Sequence, residues 1–349
     1  MVCILRIMDL QQNVPLSAYS TMRLGGPARY LLEVHNTRDL ADAVELAKRH
    51  NLEIIMIGGG SNIIWRDEGF PGLVIANRIK GFEIISDDDT GCYVDIGAGE
   101  EWDSVVDRTV KMGLSGIECL SLIPGTAGAT PVQNVGAYGQ DISQTLMTLI
   151  AYDTKTSSLV TLTGSECGFA YRKSIFNTSQ SRRYYITSIT LLLNKSNPMP
   201  PFYSTLASYL EKQGIKQYTP AIIRDAVIAI RRQRLPDPAI IPNTGSFFAN
   251  PIVDSSVLES IKEYYNQVPN WPLDNGLIKL SAAWLIDQAG YNSFYDPETG
   301  MATWEQQPLV FVNRSARSTA DLIKFVDKIR RTVKDRFAVE LEPEPLILP

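Results

Sequence analysis

Two glycine-rich tracts contain the residues of this sequence that are best suited to bind a reactive group. The first, residues 58–62 (Gly-Gly-Gly-Ser-Asn), follows a short apolar run, and the second, residues 121–139, places four glycines and two prolines among small residues. Glycine is entropically costly in regular elements and proline lacks an N–H donor, so these tracts favour compact loops. The bare N–H groups of such loops can approach a phosphorylated ligand closely. Either tract alone could be a tight turn, but together they indicate a cofactor that carries a diphosphate.

Neither tract has the spacing of the common nucleotide-binding fingerprints. In a G-x-G-x-x-G motif, Ile63 would occupy the last glycine position of the first tract, and Trp102 would occupy it in the separate sequence Gly97-Ala-Gly99. No lysine completes a Walker A motif. The spacing therefore predicts a non-Rossmann diphosphate site with apolar surroundings.

Length, charge and cysteine content limit the class of protein. The chain has 349 residues, of which 44% are hydrophobic and 20% are charged, and this predicts two or three packed units. A net charge of −5 provides no general attraction to nucleic acid or to an anionic membrane, so we expect neither as a partner. Four widely spaced cysteines and two histidines argue against a metal site or a disulfide framework and favour a reducing compartment. The apolar run in residues 1–10 is too short for a signal peptide or a membrane span, and we expect a cytoplasmic protein.

The elements that must position the two tracts follow from apolar periodicity. A turn at residues 25–27, a helix capped by Thr37 and a strand at Ile54–Ile57 predict a β-α-β unit that runs into the first tract. Further strands are predicted at residues 73–76, 82–85, 92–96, 146–152, 159–162, 184–193 and 309–312. A further helix is predicted to open at residues 97–99, with Trp102, Val105, Val106 and Val110 on one face, and others are predicted over residues 220–234, 255–265, 281–288 and 318–336. The arginines at the end of the 220–234 helix suit its dipole, and the composition change at residues 194–201 predicts a domain boundary.

Several segments occur in the order of one known family. They are residues 58–62, 113–118, 123–125, 131–139, 171–176 (Tyr-Arg-Lys-Ser-Ile-Phe), 245–248 (Gly-Ser-Phe-Phe) and 342–344 (Glu-Pro-Glu). On these motifs the chain resembles the UDP-N-acetylenolpyruvoylglucosamine reductase (MurB) family, in the branch with a tyrosine loop. The resemblance covers almost the whole chain from about residue 20.

The resemblance implies an α+β protein with the FAD-binding fold of the vanillyl-alcohol oxidase type, in which two α/β subdomains are followed by a C-terminal α+β substrate-binding domain. The expected limits are residues 1–75 and 76–218 for the two FAD-binding subdomains and 219–337 for the substrate domain, with the tail 338–349 returning near the first. The implied enzyme holds FAD noncovalently. It uses NADPH to reduce UDP-N-acetylenolpyruvoylglucosamine to UDP-N-acetylmuramate in peptidoglycan precursor synthesis. We expect a monomer whose partner is this small UDP-sugar.

Three residues match the family's catalytic residues. Arg172 is implied to bind the substrate carboxylate, since a guanidinium is permanently charged and can hold a carboxylate at two points. Ser246 is implied to protonate the carbon beside that carboxylate, and its proton must be replaced through a neighbour or water. Glu344 is implied to act on the same carboxylate, which requires a raised pKa or a shared proton. Taken singly, the three could be a surface ion pair, a turn hydroxyl and a solvated tail residue, and Glu342 lies close enough in sequence to be mistaken for Glu344.

The resemblance also implies ligand contacts. The FAD contacts are the residues of the two tracts: Gly58, Gly59, Gly60, Ser61, Asn62, Pro124, Gly125, Thr126, Gly128, Ala129, Gln133, Asn134, Gly136, Ala137 and Tyr138. The substrate contacts are Tyr203 as a candidate lid residue, Arg234 and Asn250 near the diphosphate, and Gln307 near the nucleotide sugar.

Three residues depart from the family's pattern. Ala249 replaces a basic residue before Asn250, Trp304 stands where a histidine is often found, and Pro345 follows Glu344 where a Val-Arg pair is typical. The first departure bears on diphosphate affinity and the last on the orientation of the glutamate.

Two alternatives stay open, another FAD oxidase or dehydrogenase of the same fold and a catalytically inactive protein that binds nucleotide sugars. The first tract contains no histidine or cysteine that could attach a flavin, which favours noncovalent FAD.

Overall fold

The structure of the protein is a computed structural model that describes residues 9–349. Cys3 and most of the N-terminal apolar run, on which the prediction about a signal peptide depends, lie outside these residues. The chain forms two compact units. Unit 1 contains the residues up to Val14 together with Ala28–Gly59 and Phe70–Arg231, and unit 2 contains Pro15–Pro27, Gly60–Gly69 and Arg232–Pro349.

Seven α-helices lie within residues 9–349. In chain order, α1 to α7 are Thr37–Arg49, Trp102–Lys111, Ser204–Lys212, Pro220–Arg234, Ser255–Lys262, Ala282–Gln288 and Thr319–Phe337. The predicted helices are confirmed, although α2 begins at Trp102 rather than at residues 97–99, α5 ends at Lys262 rather than at Tyr265, and α3 was not predicted. Of the residues described, no helix is both long and apolar enough to cross a membrane.

The strands of the same residues are numbered β1 to β20. They are Gln11–Pro15, Pro27–Val34, Ile54–Ile57, Ile63–Trp65, Phe70–Asn77, Phe82–Asp88, Gly91–Gly97, Gly136–Ala137, Gln140–Asp141, Leu146–Asp153, Ser158–Thr163, Tyr184–Leu193, Asn243–Ser246, Ile252–Val253, Asn270–Pro272, Ile278–Leu280, Tyr295–Asp296, Met301–Trp304, Gln307–Asn313 and Leu346–Leu348. The predicted strands are confirmed, and β3 and β12 have the predicted bounds.

Unit 1 contains a small sheet covered by α1. The strand order is β1-β2-β5-β3, and β5 is parallel to both of its neighbours. The face of α1 that packs on this sheet consists of the predicted residues Leu40, Ala43, Val44 and Ala47. The helix is capped by Asn36 and not by Thr37 as predicted, because the Asn36 side chain accepts the Asp39 N–H. Asparagine and threonine can both cap a helix, so residue type alone does not distinguish them.

A second sheet of unit 1 is antiparallel and has the order β11-β10-β12-β7-β6. The β6–β7 hairpin carries the charged residues Asp87–Asp89 at its tip, as predicted. α2 buries Trp102, Val105 and Val106 against this sheet because these apolar residues recur at helical spacing. In the chain, the second glycine tract lies between α2 and β10. Helices α3 and α4 pack together through Leu206, Leu210, Ile223 and Val227.

Unit 2 contains a sheet of order β13-β19-β18-β17, a smaller sheet β14-β16-β15, and the pair β20-β4. Its core is aromatic: Phe247 stacks on Phe311 with centroids 4.8 Å apart, and Phe248 and Phe325 contact Phe311 edge-on. α7 begins with the predicted capping box, in which Ser318 and Asp321 exchange hydrogen bonds.

Candidate functional site

The two glycine tracts meet within unit 1. β3 leads into Gly58 and Gly59, and the second tract passes directly over them. A Cβ atom at Gly58 would lie 2.2 Å from the Thr126 Oγ1, and one at Gly59 would lie 2.9 Å from the Gly125 Cα. A larger side chain at Gly59 would have to displace the backbone of the second tract, and one at Gly58 would have to displace the Thr126 hydroxyl, so the two tracts are in close contact.

Hydrogen bonds to the turn before α2 hold the second tract in place. The Trp102 N–H donates to the Gly125 carbonyl at 3.0 Å, and the Gly128 N–H donates to the Ala98 carbonyl at 2.9 Å. The Trp102 indole N–H also donates to the Leu120 carbonyl at 3.1 Å. The Gly97-Ala-Gly99 sequence, which lacks a nucleotide-binding fingerprint, is therefore a support for the second tract.

The crossing leaves backbone donors unused. Within residues 9–349, the N–H groups of Gly58, Gly59 and Gly125 donate no hydrogen bond to the chain. Such N–H groups on glycine-rich loops carry positive partial charge and can bind a diphosphate without a lysine. The residues present therefore fit the diphosphate of FAD.

The segment that carries Arg172 is tied to the second tract. The Asn134 side chain donates to the Ala170 carbonyl at 3.3 Å, and the Ser174 hydroxyl donates to the Val132 carbonyl at 2.6 Å. Both bonds lie within unit 1. They connect the segment of the predicted catalytic arginine to the tract that contains the predicted FAD contacts. Asn134 has a structural role here in addition to its predicted cofactor contact.

The backbone of Arg172 is in the left-handed conformation. Its φ is +57°, which costs free energy in any residue other than glycine. The Arg172 carbonyl accepts a hydrogen bond from the Asn177 side chain at 3.1 Å, and the Ala170 N–H and carbonyl bond with Lys173 across the turn. These bonds maintain the strained conformation, and the guanidinium lies 5.4 Å from the centre of the Tyr171 ring.

Tyr138 and Tyr203 form an edge-to-face pair in unit 1. Their ring centroids are 6.2 Å apart and their planes meet at 85°. Tyr138 is the second-last residue of the second tract and has a φ of +50°, and Tyr203 is 44% exposed immediately before α3. The structure therefore places the candidate lid residue beside the end of the predicted FAD-binding tract.

Arg231 joins this pair and was not predicted as a site residue. Its guanidinium interacts electrostatically with Tyr138, and burial lowers the pKa of the Arg231 guanidinium below its usual value. From the sequence, Arg231 was predicted only as one of the arginines that suit the helix dipole. A signal was present, because Arg231 follows Val227 by four residues and so continues the buried face of α4.

Ser246 and Glu344 lie on neighbouring segments of unit 2. The Phe247 carbonyl, next to Ser246, accepts the Glu344 N–H at 2.8 Å, and the Ala249 N–H donates to the Glu342 carbonyl at 3.1 Å. The C-terminal tail thus runs antiparallel to the end of the Ser246 loop. The structure brings these two predicted catalytic residues together although they are far apart in the chain.

Two hydrogen bonds with Asn62 hold Glu344 and Leu346, the residues on either side of Pro345. The Asn62 side chain donates to the Glu344 carbonyl at 3.2 Å, and the Leu346 N–H donates to the Asn62 carbonyl at 3.0 Å. Glu344 is half-buried whereas Glu342 is exposed, which distinguishes the two glutamates. Pro345 lacks an N–H, but the residues on either side of it make these bonds, so this departure from the family's pattern is accommodated.

Three of the predicted substrate contacts lie on separate elements of unit 2. Arg234 is exposed at the end of α4, and Gln307 is half-buried at the start of β19. The Asn250 side chain accepts the Ala282 N–H at the start of α6 at 3.0 Å. Within residues 9–349, no hydrogen bond or ion pair joins these three side chains to one another. Residues 9–349 also contain no group of three His, Cys, Asp or Glu side chains that could hold a metal ion.

Two family models match the chain. The model described as "FAD binding domain" matches residues 28–155, and the model described as "UDP-N-acetylenolpyruvoylglucosamine reductase, C-terminal domain" matches residues 237–348. The first match contains the crossing of the glycine tracts, and the second contains Ser246 and Glu344.

Full-length relatives carry the same family name. The UDP-N-acetylenolpyruvoylglucosamine reductase of Amoebophilus asiaticus (strain 5a2) is 38% identical over 341 residues, which cover 98% of this chain and 100% of the relative. The enzyme of that name from Pseudomonas fluorescens (strain Pf0-1) is 37% identical over 338 residues, with 97% and 98% coverage.

A solved structure confirms the fold. The crystal structure of UDP-N-acetylenolpyruvylglucosamine reductase (MurB) from Thermus caldophilus matches with a TM-score of 0.67 at 23% identity, over 98% of this chain and 100% of that chain. The fold class predicted from the sequence, an FAD-binding fold of the vanillyl-alcohol oxidase type with a C-terminal α+β domain, is confirmed. With these matches in agreement along its length, the chain belongs to the UDP-N-acetylenolpyruvoylglucosamine reductase family.

Proposed function

We propose that this protein uses FAD and NADPH to reduce the enolpyruvyl ether of UDP-N-acetylenolpyruvoylglucosamine to the lactyl ether of UDP-N-acetylmuramate. The reaction is a step of peptidoglycan precursor synthesis. The observation that carries the proposal is the pairing of the Ser246 loop with the tail that contains Glu344, in a chain similar over its full length to reductases of this name. We also propose that the enzyme is monomeric and cytoplasmic. Its widely spaced cysteines accord with the reducing environment of the cytoplasm.

The backbone N–H groups at the crossing of Gly58 and Gly59 with the second tract would hold the FAD diphosphate. Bound there, FAD would supply the hydride-transfer chemistry that links NADPH to the substrate. Tyr138 and the other residues of the second tract contact the cofactor from the same unit. The first tract has no side chain that could form a covalent bond to the flavin, so the binding is noncovalent.

Arg172 binds the substrate carboxylate. The vinyl CH2 carbon of the substrate gains a hydride, and negative charge then develops on the adjacent carboxylate as an enolate. A permanent positive charge at the carboxylate stabilises this state more than the ground state, because the charge on the oxygens increases. The hydrogen-bonded turn that contains Arg172 restricts its backbone, so the guanidinium needs little reorganisation.

Ser246 donates its hydroxyl proton to the carbon next to the carboxylate, and Glu344 acts on that carboxylate. One hydride and one proton are thereby added across the double bond, and water returns a proton to Ser246. Tyr203 closes over the UDP-sugar, while Arg234 and Asn250 contact its diphosphate and Gln307 contacts the nucleotide sugar. The backbone hydrogen bonds between the Ser246 loop and the C-terminal tail keep Ser246 and Glu344 on neighbouring segments.

Three measurements on the purified protein test the proposal. The absorption spectrum should show the bands of oxidised flavin, and acid precipitation should release the flavin into solution. NADPH oxidation should accelerate when UDP-N-acetylenolpyruvoylglucosamine is added. A protein that binds the UDP-sugar without accelerating NADPH oxidation would instead be an inactive nucleotide-sugar-binding protein, and a protein that retains flavin after precipitation would support a covalent flavin oxidase.

A further inference from the structure

A buried ion pair joins α4 to α2 in unit 1, and its carboxylate also bonds to the second glycine tract. The Arg224 guanidinium donates to Asp103 on α2 through two nitrogens, with Nη1–Oδ1 at 2.7 Å and Nη2–Oδ2 at 3.1 Å. The Arg224 side chain is only 10% exposed and that of Asp103 is 25% exposed. A bidentate pair of this kind fixes the orientation of both side chains as well as their separation.

The same carboxylate also holds the loop backbone. Asp103 Oδ1 accepts the Leu122 N–H at 2.5 Å. Leu122 has a φ of +58° and is followed by Ile123, Pro124 and Gly125, so this bond fixes the loop as it enters the crossing with the first tract. One carboxylate therefore bonds to α4 and to the FAD-binding tract at once.

The electrostatics of the pair agree with this geometry. Burial alone would raise the pKa of the Asp103 carboxyl, but the hydrogen bonds from Arg224 and Leu122 outweigh burial and hold that pKa below its usual value. The other charged groups that face the pair are Asp107, 3.4 Å from Arg224 Nε, Asp225, which interacts with Arg224, and Arg231, which interacts with Asp103 from the next turns of α4.

We propose that Asp103 and Arg224 are positioning residues that hold the Leu122–Gly125 segment against α4 and thereby set the affinity for FAD. α4 also carries Arg231, which interacts electrostatically with Tyr138, so the same helix approaches both ends of the second tract. The inference rests on the use of FAD by this protein.

The test compares FAD retention by the holoenzyme and its variants. Asp103→Asn removes the charge that holds Leu122 and Arg224, and we expect the dissociation constant of FAD to rise about tenfold or more, because hydrogen bonds to charged groups are the strong ones. Arg224→Lys keeps one charge but loses the two-point geometry, so it should give a smaller increase. The visible spectrum of the bound flavin should change in both variants, since its surroundings are less ordered.

Asp153→Asn is the matched control. Asp153 forms an equivalent buried pair with Arg183 in unit 1, with contacts of 2.7 and 3.0 Å, but it touches neither glycine tract. This variant should lose thermal stability without weakening FAD binding. The inference is overturned if Asp103→Asn and Arg224→Lys bind FAD as tightly as the wild type, or if Asp153→Asn weakens FAD equally. Wild-type protein without flavin would instead refute the proposed function.

Discussion

Gly58→Ala tests whether the crossing of the two glycine tracts determines FAD affinity. The added methyl carbon would lie 2.2 Å from the Thr126 Oγ1, while the next nearest atoms, Thr126 Cβ and Ala129 Cβ, are at 3.4 and 3.5 Å. Only the hydroxyl is therefore in conflict, and it has to retreat from 2.2 Å to at least 3.0 Å. Thr126 is buried, so its side chain must rotate within a packed region or the second tract must shift.

The expected cost follows from overpacking. Extra methyl groups in a closely packed region cost about 1–3 kcal/mol. If the cost falls on the arrangement that binds FAD, the dissociation constant rises by about 5-fold to 150-fold. The assay is a titration of flavin-free protein with FAD, followed by the change in flavin fluorescence. Thermal unfolding at a fixed FAD concentration should show a correspondingly smaller stabilisation by the cofactor.

A second substitution makes the test specific. In Gly58→Ala/Thr126→Ala the conflicting oxygen is absent and all remaining contacts are ordinary, so FAD affinity should return close to that of Thr126→Ala alone. Thr126→Val places a methyl group where the hydroxyl was and should give no such recovery. The reasoning is refuted if Gly58→Ala binds FAD like the wild type, or if the alanine pair binds no better than Gly58→Ala.

Three further predictions concern catalysis and stability. Ser246→Ala should leave reduction of the flavin by NADPH nearly intact and greatly slow its reoxidation by the UDP-sugar in stopped-flow absorbance; loss of both steps would contradict a proton-donor role. Tyr203→Phe should mainly raise the KM for the UDP-sugar, and an unchanged KM would remove Tyr203 from the substrate site. Hydrogen bonds from Arg183 lower the pKa of Asp153 to about 2, below its value in the unfolded chain, so the pair stabilises the fold above about pH 4 and this stabilisation is lost as the pH falls towards 2. Melting temperatures measured across that range should fall less steeply for Asp153→Asn than for the wild type, and parallel curves would contradict the shift.

Local signals predicted most of the secondary structure. The run Ile54–Ile57, the apolar face of α1 and the capping box of α7 each depend on residues within a few positions of one another, and all three are confirmed. The cap of α1 was wrong by one residue, because Asn36 and Thr37 are both suitable caps and the choice depends on where the preceding strand ends. α3 was missed because it is short and follows a proline-rich stretch.

The Glu344 segment shows the limit of local signals. Its surroundings depend on Asn62 and Phe247, and on the parallel pairing of β20 with β4, all remote in sequence. No periodicity within the tail indicates these partners. Arg231 is a similar case, because its burial follows the face of α4 but its electrostatic interaction with Tyr138 depends on how α4 packs in unit 1.

The sequence by itself determined which residues have the necessary chemistry. Glycines allow close backbone approach wherever they occur, an arginine is charged in any environment, and the order of the motifs identifies the family without coordinates. Only the tertiary structure decided that Gly58 lies under Thr126, that Asp103 holds Leu122, and that the segments of Ser246 and Glu344 pair. The physical reason is that residue type fixes what a side chain can do, whereas contacts between distant segments arise from the packing of the whole unit.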